Sequence, residues 1–259
     1  MLLLEHKVVV VSGVGPGLGQ AIAVRSARAG ADVVLAARTG SRLDEVAKFV
    51  ADHGRRTLTV PTDITDEASA TALVAAALAE FDRVDALVHN AFAMPPMREM
   101  VAVDLDAVRS SHETNVLGAL RLTKLFLPAL VAARGSVVMV NSAVLRHSRR
   151  TFGAYKMAKS ALLSLAQTLS TELGPQGVRV NSVAPSYIWA DVLKAYFDYL
   201  GGKRGVPGQQ IYDEIAATVD LRRLPEPDEI ADVVVFLASD LARAVTGQCI
   251  DVNCGEFHH

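Results

Sequence analysis

The stretch Lys7-Val8-Val9-Val10-Val11-Ser12-Gly13-Val14-Gly15-Pro16-Gly17-Leu18-Gly19 decides the fold. Its unbroken valine run fits a strand buried on both faces, as in a parallel sheet, because a half-exposed strand would alternate apolar and polar residues. After Ser12 the glycines allow a tight turn. From Leu18 apolar residues recur at helical spacing through Ile22, Ala23 and Ser26 until Gly30 stops the pattern. Strand, glycine-rich turn and helix in this order make a phosphate cradle: small residues let the backbone approach a pyrophosphate, and the free N–H groups of the helix N-terminus point at the anion. A glycine-rich loop alone is a weak motif; its setting here turns it toward a dinucleotide.

The chain continues the same alternation. Val33 to Ala36 reads as a strand, followed by a helix from about Ser41, a strand at Thr57 to Val60, a helix from about Asp66 and a strand at Val84 to Val88. A long helical stretch from Asp104 to about Ala133, interrupted by Pro128, precedes a fifth strand, Gly135 to Val140. The helix containing Tyr155 closes at Gly174-Pro175, a sixth strand spans Val178 to Val183, and a helix from Asp228 to about Ser239 leads to a last strand, Gln248 to Val252. The expectation is an α/β fold: a doubly wound, mostly parallel seven-stranded sheet with helices on both faces, in a single domain. Residues from about Tyr187 to Leu224 break the alternation and carry Trp189, Tyr196, Phe197, Tyr199 and Tyr212, which predicts a lid over a substrate.

Composition narrows the function classes. At 259 residues one core is favoured over two, and 51% apolar residues with a net charge of −2 argue against disorder and against a footprint for nucleic acid or an anionic membrane. Leu2-Leu3-Leu4 is too short for a signal peptide's apolar region, and no run is expected to span a membrane, so the default location is the cytoplasm. Cys249 and Cys254 match neither a redox pair nor a zinc set and read as small core or edge residues, and His258-His259 alone does not make a metal tract. No metal site is expected.

Two local readings bear on chemistry. About 20 residues after the glycine turn, where a dinucleotide unit meets the adenosine ribose, the chain has Ala37-Arg38 instead of an acidic residue. Nothing there repels a 2′-phosphate and one guanidinium can pair with it, which favours NADP(H) over NAD(H); the bland alternative is a solvated arginine at a strand end. In Tyr155-Lys156-Met157-Ala158-Lys159 a phenol and an ammonium lie four residues apart on one helix face. Such a pair also arises by chance on solvated helices, but a cation beside a phenol is what proton transfer by tyrosine near neutral pH requires.

Taken together, these residues resemble the short-chain dehydrogenase/reductase family over essentially the whole chain. The family's Thr-Gly-x-x-x-Gly-x-Gly turn appears as Ser12-Gly13-Val14-Gly15-Pro16-Gly17-Leu18-Gly19, and its Asn-Ser-Tyr-Lys tetrad as Asn115, Ser142, Tyr155 and Lys159, with the serine thirteen residues before the tyrosine. The resemblance implies cofactor contacts from Ser12, Gly13, Gly15, Gly17, Leu18, Gly19, Arg38, Asp63, Ile64, Asn90, Ala91, Tyr155, Lys159, Pro185 and Ile188. It implies hydride transfer between nicotinamide and a carbonyl or secondary alcohol carbon, with Tyr155 as general acid or base, Lys159 lowering its pKa, Ser142 holding the substrate oxygen, and Asn115 holding a water that links Lys159 to solvent. Two motifs depart from the family pattern. Asn-Asn-Ala-Gly is His89-Asn90-Ala91-Phe92, with a bulky ring where glycine lets the ribose lie close, and Pro-Gly-x-x-x-Thr ends in Ala190, without the hydroxyl expected to meet the carboxamide.

Substrate contacts are expected from Ser142, Val144, Met94, Trp189 and Tyr196, a set suited to a fairly large apolar molecule of steroid, terpenoid or 3-oxoacyl type. Arg146, Arg149 and Arg150 could receive an anionic group, although a solvated basic loop is the simpler reading. A catalytically idle cofactor-binding regulator is the alternative from another class; retention of Tyr155 and Lys159 counts against it. An epimerase or dehydratase of the longer relatives is disfavoured because no separate substrate domain is seen. The resemblance also implies a homotetramer, or failing that a dimer, built on the helices around Asn115 and Tyr155.

Overall fold

The valines of the opening run divide between two cores. Val9 and Val11 pack on one side of a sheet with Ile22, Leu43 and Ile230, while Val8 and Val10 pack on the other with Leu73, Phe126 and Leu162. Burial on both faces explains why this strand, β1 (Val8–Ser12), has no polar alternation. In the computed structural model, which describes residues 2–258, β1 is joined by β2 (Asp32–Ala37), β3 (Thr57–Pro61), β4 (Ala86–His89), β5 (Ser136–Val140), β6 (Arg179–Pro185) and β7 (Cys249–Val252). His259, the second member of the terminal histidine pair, lies outside the described residues.

All six pairings are parallel and the order is β3-β2-β1-β4-β5-β6-β7. Helices α1 (Leu18–Arg28), α2 (Gly40–Ala51) and α9 (Pro227–Ala238) cover one face; α3 (Glu67–Phe81), α5 (Gly118–Ala133) and α6 (Gly153–Leu173) cover the other. The chain runs outward in one direction from β1 and in the other from β4, so a crevice opens between their carboxyl ends. Ser12 and His89 face each other across that point. The doubly wound single-domain expectation is met, with β4 starting two residues later than expected, at Ala86, and ending one residue later, on His89.

The long helix differs from its expectation. It runs through Pro128 without a break, and its irregularity is instead a π-helical turn, Glu113–Leu117, between α4 (Leu105–His112) and α5. Buried Leu122, Phe126 and Leu130 hold the segment against the sheet, so one missing N–H donor at Pro128 does not end it. The π turn inserts an extra residue and turns Asn115 into the interior. Contrary to the expectation that no run would reach membrane-spanning length, Leu105–Ala133 is long and apolar enough by length and composition; its inner face packs on the sheet, and only a third of its most apolar window is buried.

The segment after β6 folds into α7 (Asp191–Arg204) and α8 (Gly208–Ala216) around a small core of its own: Phe197, Ile211, Val219 and Leu224, flanked by Tyr187, Trp189 and Tyr212. Trp189 lies 4.4 Å from Tyr212 and 5.8 Å from Phe197 between ring centroids. The aromatics expected to face the substrate mostly hold these two helices together.

Candidate active site

The glycine turn is built by close approach. Gly13 has φ +94°, and a Cβ on it would lie 2.2 Å from the Ala91 amide nitrogen. That proximity lets the Ser12 carbonyl accept from the amides of Asn90 (2.9 Å) and Ala91 (2.8 Å), while Asn90 Nδ2 donates to the Gly13 carbonyl at 2.6 Å. Gly19 is equally confined, 2.4 Å from the Gly13 oxygen by the same measure, whereas a Cβ on Gly15 would meet open space. Gly17 precedes α1 with no side-chain cap and no acidic residue in the first turn; the Gln20 amide donates to the Gly15 carbonyl at 3.0 Å, and the Leu18 and Gly19 amides are left to an anion.

A cleft of about 820 Å³ runs from this turn across the carboxyl edge of the sheet. Every residue expected to contact a cofactor lines it except Gly17, which faces Ala190 and a neighbouring cavity. At the adenosine end, Asp63 accepts from the Thr65 hydroxyl (2.7 Å) and amide (2.9 Å), bonds that hold its carboxyl below the usual range, with a smaller contribution from Arg38. Arg38 and Arg42 both stand exposed there, and among the described residues no ion pair engages either. Arg42 was not singled out from sequence; a second arginine four residues after Arg38 was the available signal.

At the other end α6 begins at Gly153 and brings Tyr155 and Lys159 to one side of the cleft. Ser142, just past β5, lies beside the Tyr155 hydroxyl and lowers its pKa, and its Oγ accepts from the Val144 amide at 3.2 Å. Burial raises the Tyr155 pKa and outweighs this lowering. Lys159, only 3% exposed, donates to the Val140 carbonyl at 2.8 Å with its Nζ 6.0 Å from the Tyr155 ring centroid, and burial draws its own pKa down to about 8. The ammonium is anchored to the end of β5 and reaches the phenol through space.

Asn115 donates from Nδ2 to the Ala93 carbonyl (2.8 Å), the Ser111 carbonyl (2.8 Å) and Ser111 Oγ (3.0 Å). Its buried Oδ1 has no protein partner and is left as an acceptor for a bridging water. His89 stands at the same sheet edge but points away from the cleft. Its Nε2 lies 2.9 Å from Thr123 Oγ1, which itself donates to the Ala119 carbonyl, so Nε2 is the donor; burial lowers the imidazole pKa to about 3 and keeps it neutral.

The expected substrate contacts are scattered. Ser142 lines the cleft, but Val144 is buried, Met94 and Tyr196 are exposed outside it, and Trp189 belongs to the lid core and the neighbouring cavity. Phe92, read only as a departure, does line the cleft.

The basic run is exposed at Arg149 and Arg150, as a solvated loop would be, but its charges are paired with acids of this chain. Arg146 pairs with Asp251 at 3.2 Å, Arg149 with Glu256 at 3.2 Å and with the Tyr187 hydroxyl at 3.0 Å, and Arg150 with Glu99. Between them His147 packs its ring against Phe152 and Phe257, and Lys156 donates to the His147 carbonyl at 2.7 Å. The segment joining Ser142 to Tyr155 is thereby fastened to the last residues of the chain.

The open face at Gly15, the uncapped N-terminus of α1 and the unpartnered acceptor on Asn115 fit a dinucleotide laid across the crevice. The chain matches the family model described as enoyl-(acyl carrier protein) reductase over residues 13–256. It is 32% identical to a short chain dehydrogenase/reductase of Aspergillus oryzae, covering 97% of this chain and 95% of that one. Among solved structures it is similar to carveol dehydrogenase of Mycobacterium avium in complex with NAD (26% identity, 99% of both chains, TM-score 0.92). It is also similar to L-sorbose reductase of Gluconobacter frateurii with NADPH and L-sorbose (27% identity, 100% of both chains, TM-score 0.93). With this fold, this cleft and these relatives, the chain belongs to the short-chain dehydrogenase/reductase family, as a nicotinamide-dependent oxidoreductase of alcohols and ketones.

Proposed function

We propose that the protein is an NADP(H)-preferring enzyme interconverting a ketone and a secondary alcohol on a fairly large apolar molecule, with Tyr155 as general acid in reduction and general base in oxidation. The observation that carries this reading is the placing of Ser142, Tyr155 and the buried Lys159 together in the same cleft as the glycine turn. The bound nicotinamide supplies or accepts the hydride. Ser142 holds the substrate oxygen beside the phenol, Tyr155 gives its proton to that oxygen as the alcohol forms, and the charge on Lys159 stabilises the phenolate left behind. Asn115 positions a water through its free Oδ1 to return a proton toward Lys159. The glycine turn and the α1 N-terminus would hold the pyrophosphate, Asp63 and Ile64 the adenine, and Arg38 with Arg42 the 2′-phosphate, all of them residues in or beside the cleft.

Helices α7 and α8 act as a lid that moves as one unit on its own aromatic core. The exposed apolar residues Leu105, Leu117 and Met157 on the helices around Asn115 and Tyr155 support a homotetramer, or a dimer, that covers this face. The catalytic reading is tested by Tyr155→Phe: turnover of a ketone panel with NADPH should vanish while nicotinamide fluorescence still reports cofactor binding. Substantial residual turnover in the purified variant would overturn it.

A further inference from the structure

Among the residues lining the cleft only two carry aromatic carbon rings, Tyr155 and Phe92, and the Lys159 ammonium lies 6.0 Å from the centroid of each. Phe92 is 57% exposed, so the face of its ring is open to a molecule entering the cleft. Its position is not that of a loose loop. The Ala91 amide before it donates to the Ser12 carbonyl at 2.8 Å, and the Ala93 carbonyl after it accepts from Asn115 Nδ2 at 2.8 Å and Ser111 Oγ at 3.1 Å. Backbone clamped on both sides presents the ring to the cleft at a fixed place.

The chain beyond Phe92 leads toward the substrate end and away from the glycine turn. Met100 fills the space beside Gly153, where an added Cβ would lie 2.5 Å from the Met100 Cγ, and Gly153 opens the helix that carries Tyr155. Glu99 pairs with Arg150 on the segment between Ser142 and Tyr155. Of the lid aromatics, by contrast, Trp189, Phe197 and Tyr212 are turned into their own core, and Tyr196 and Tyr199 are exposed outside the cleft.

Building on the ketone–alcohol reading above, we propose that Phe92 is the specificity-determining residue of the cleft: its ring is the platform on which a flat or cyclic apolar portion of the substrate stacks while the reacting oxygen lies at Ser142 and Tyr155. The substrate class it selects is a cyclic ketone or secondary alcohol over a small acyclic one, because only a ring offers the face that covers the phenyl group.

The test compares 2-tetralone with 2-butanone in wild type, Phe92→Ala and Phe92→Tyr, with NADPH binding measured separately by nicotinamide fluorescence. Phe92→Ala should lower kcat/KM for 2-tetralone about tenfold through KM, change that for 2-butanone by less than about threefold and leave the NADPH Kd unchanged, while Phe92→Tyr keeps wild-type discrimination. Equal losses on both ketones, or a loss traced to NADPH affinity, overturn the assignment of Phe92 alone. A wild type that binds NADPH and reduces neither ketone overturns the assignment and the carbonyl-reductase reading together.

Discussion

Lys159 donates its hydrogen bond to the Val140 carbonyl, at 2.8 Å, and not to the tyrosine one turn before it. The charge that serves Tyr155 is thus held by the sheet, in a place where burial draws its pKa from 10.5 to about 8. In the unfolded chain the same lysine keeps its proton to about 10.5, so between about 8 and 10.5 the unfolded state holds more protons and stability rises with pH. Below pH 8 the full cost of the buried charge is present. Lys159→Met should abolish turnover yet stabilise the protein at pH 7 by roughly 1–2 kcal/mol, the removed cost exceeding the loss of one hydrogen bond to Val140. Thermal unfolding followed by circular dichroism at pH 7 and pH 9.5 checks this: the difference should shrink at the higher pH.

Gly13→Ala should be severe. The new methyl would meet the Ala91 amide at 2.2 Å with φ at +94°, and that amide cannot yield without losing its bond to Ser12. A loss of about 3 kcal/mol is expected from clash and backbone strain together, read as a lower urea midpoint. Gly15→Ala, which has room, should leave the midpoint near wild type and weaken cofactor binding instead.

Arg38→Ala and Arg42→Ala should each weaken NADPH binding by about tenfold, the value of a charge-assisted bond, and leave NADH binding nearly unchanged. Fluorescence titration with both cofactors decides; tighter binding of NADH by the wild type would reverse the proposed preference.

Arg149→Ala and Arg150→Ala should not alter the ratio of turnover between a carrier-linked and a free ketone, because both guanidinium groups are already paired with acids of this chain. A selective loss on the carrier-linked substrate would show that the pairs open to receive it.

Leu117→Glu should split the proposed assembly, since Leu117 is 47% exposed on the apolar helix that the sheet covers only in part. Light scattering coupled to gel filtration should report a smaller particle with the circular dichroism spectrum of the wild type.

What the sequence discloses here is local. The valine run, the glycine spacing and the Tyr155–Lys159 interval are read off a few consecutive residues, because strand burial, turn geometry and helix periodicity each act within one or two turns of chain. What stays hidden depends on partners far away in sequence. Arg146 and Arg149 look like free charges until Asp251 and Glu256, over 100 residues on, fold back to meet them. Trp189 looks like a substrate contact until Tyr212 takes its face. Pro128 looks like a helix stop because the buried Phe126 and Leu130 that override it act through packing, which no propensity records. Asn115 is placed by the resemblance alone; the π turn that carries it and the Ala93 carbonyl it donates to, on another segment, leave no mark at its own position in the sequence.

The fastening of Arg146 to Asp251 and of His147 to Phe257 has a consequence for synthesis. A chain emerging from the ribosome can complete its glycine turn and its first four strands early, but the segment that sets Ser142 against Tyr155 lacks its Asp251, Glu256 and Phe257 partners until residues 251–257 are out. Cofactor affinity should therefore arise before catalytic competence during translation, and a stalled chain lacking that last stretch would hold nucleotide without turning it over.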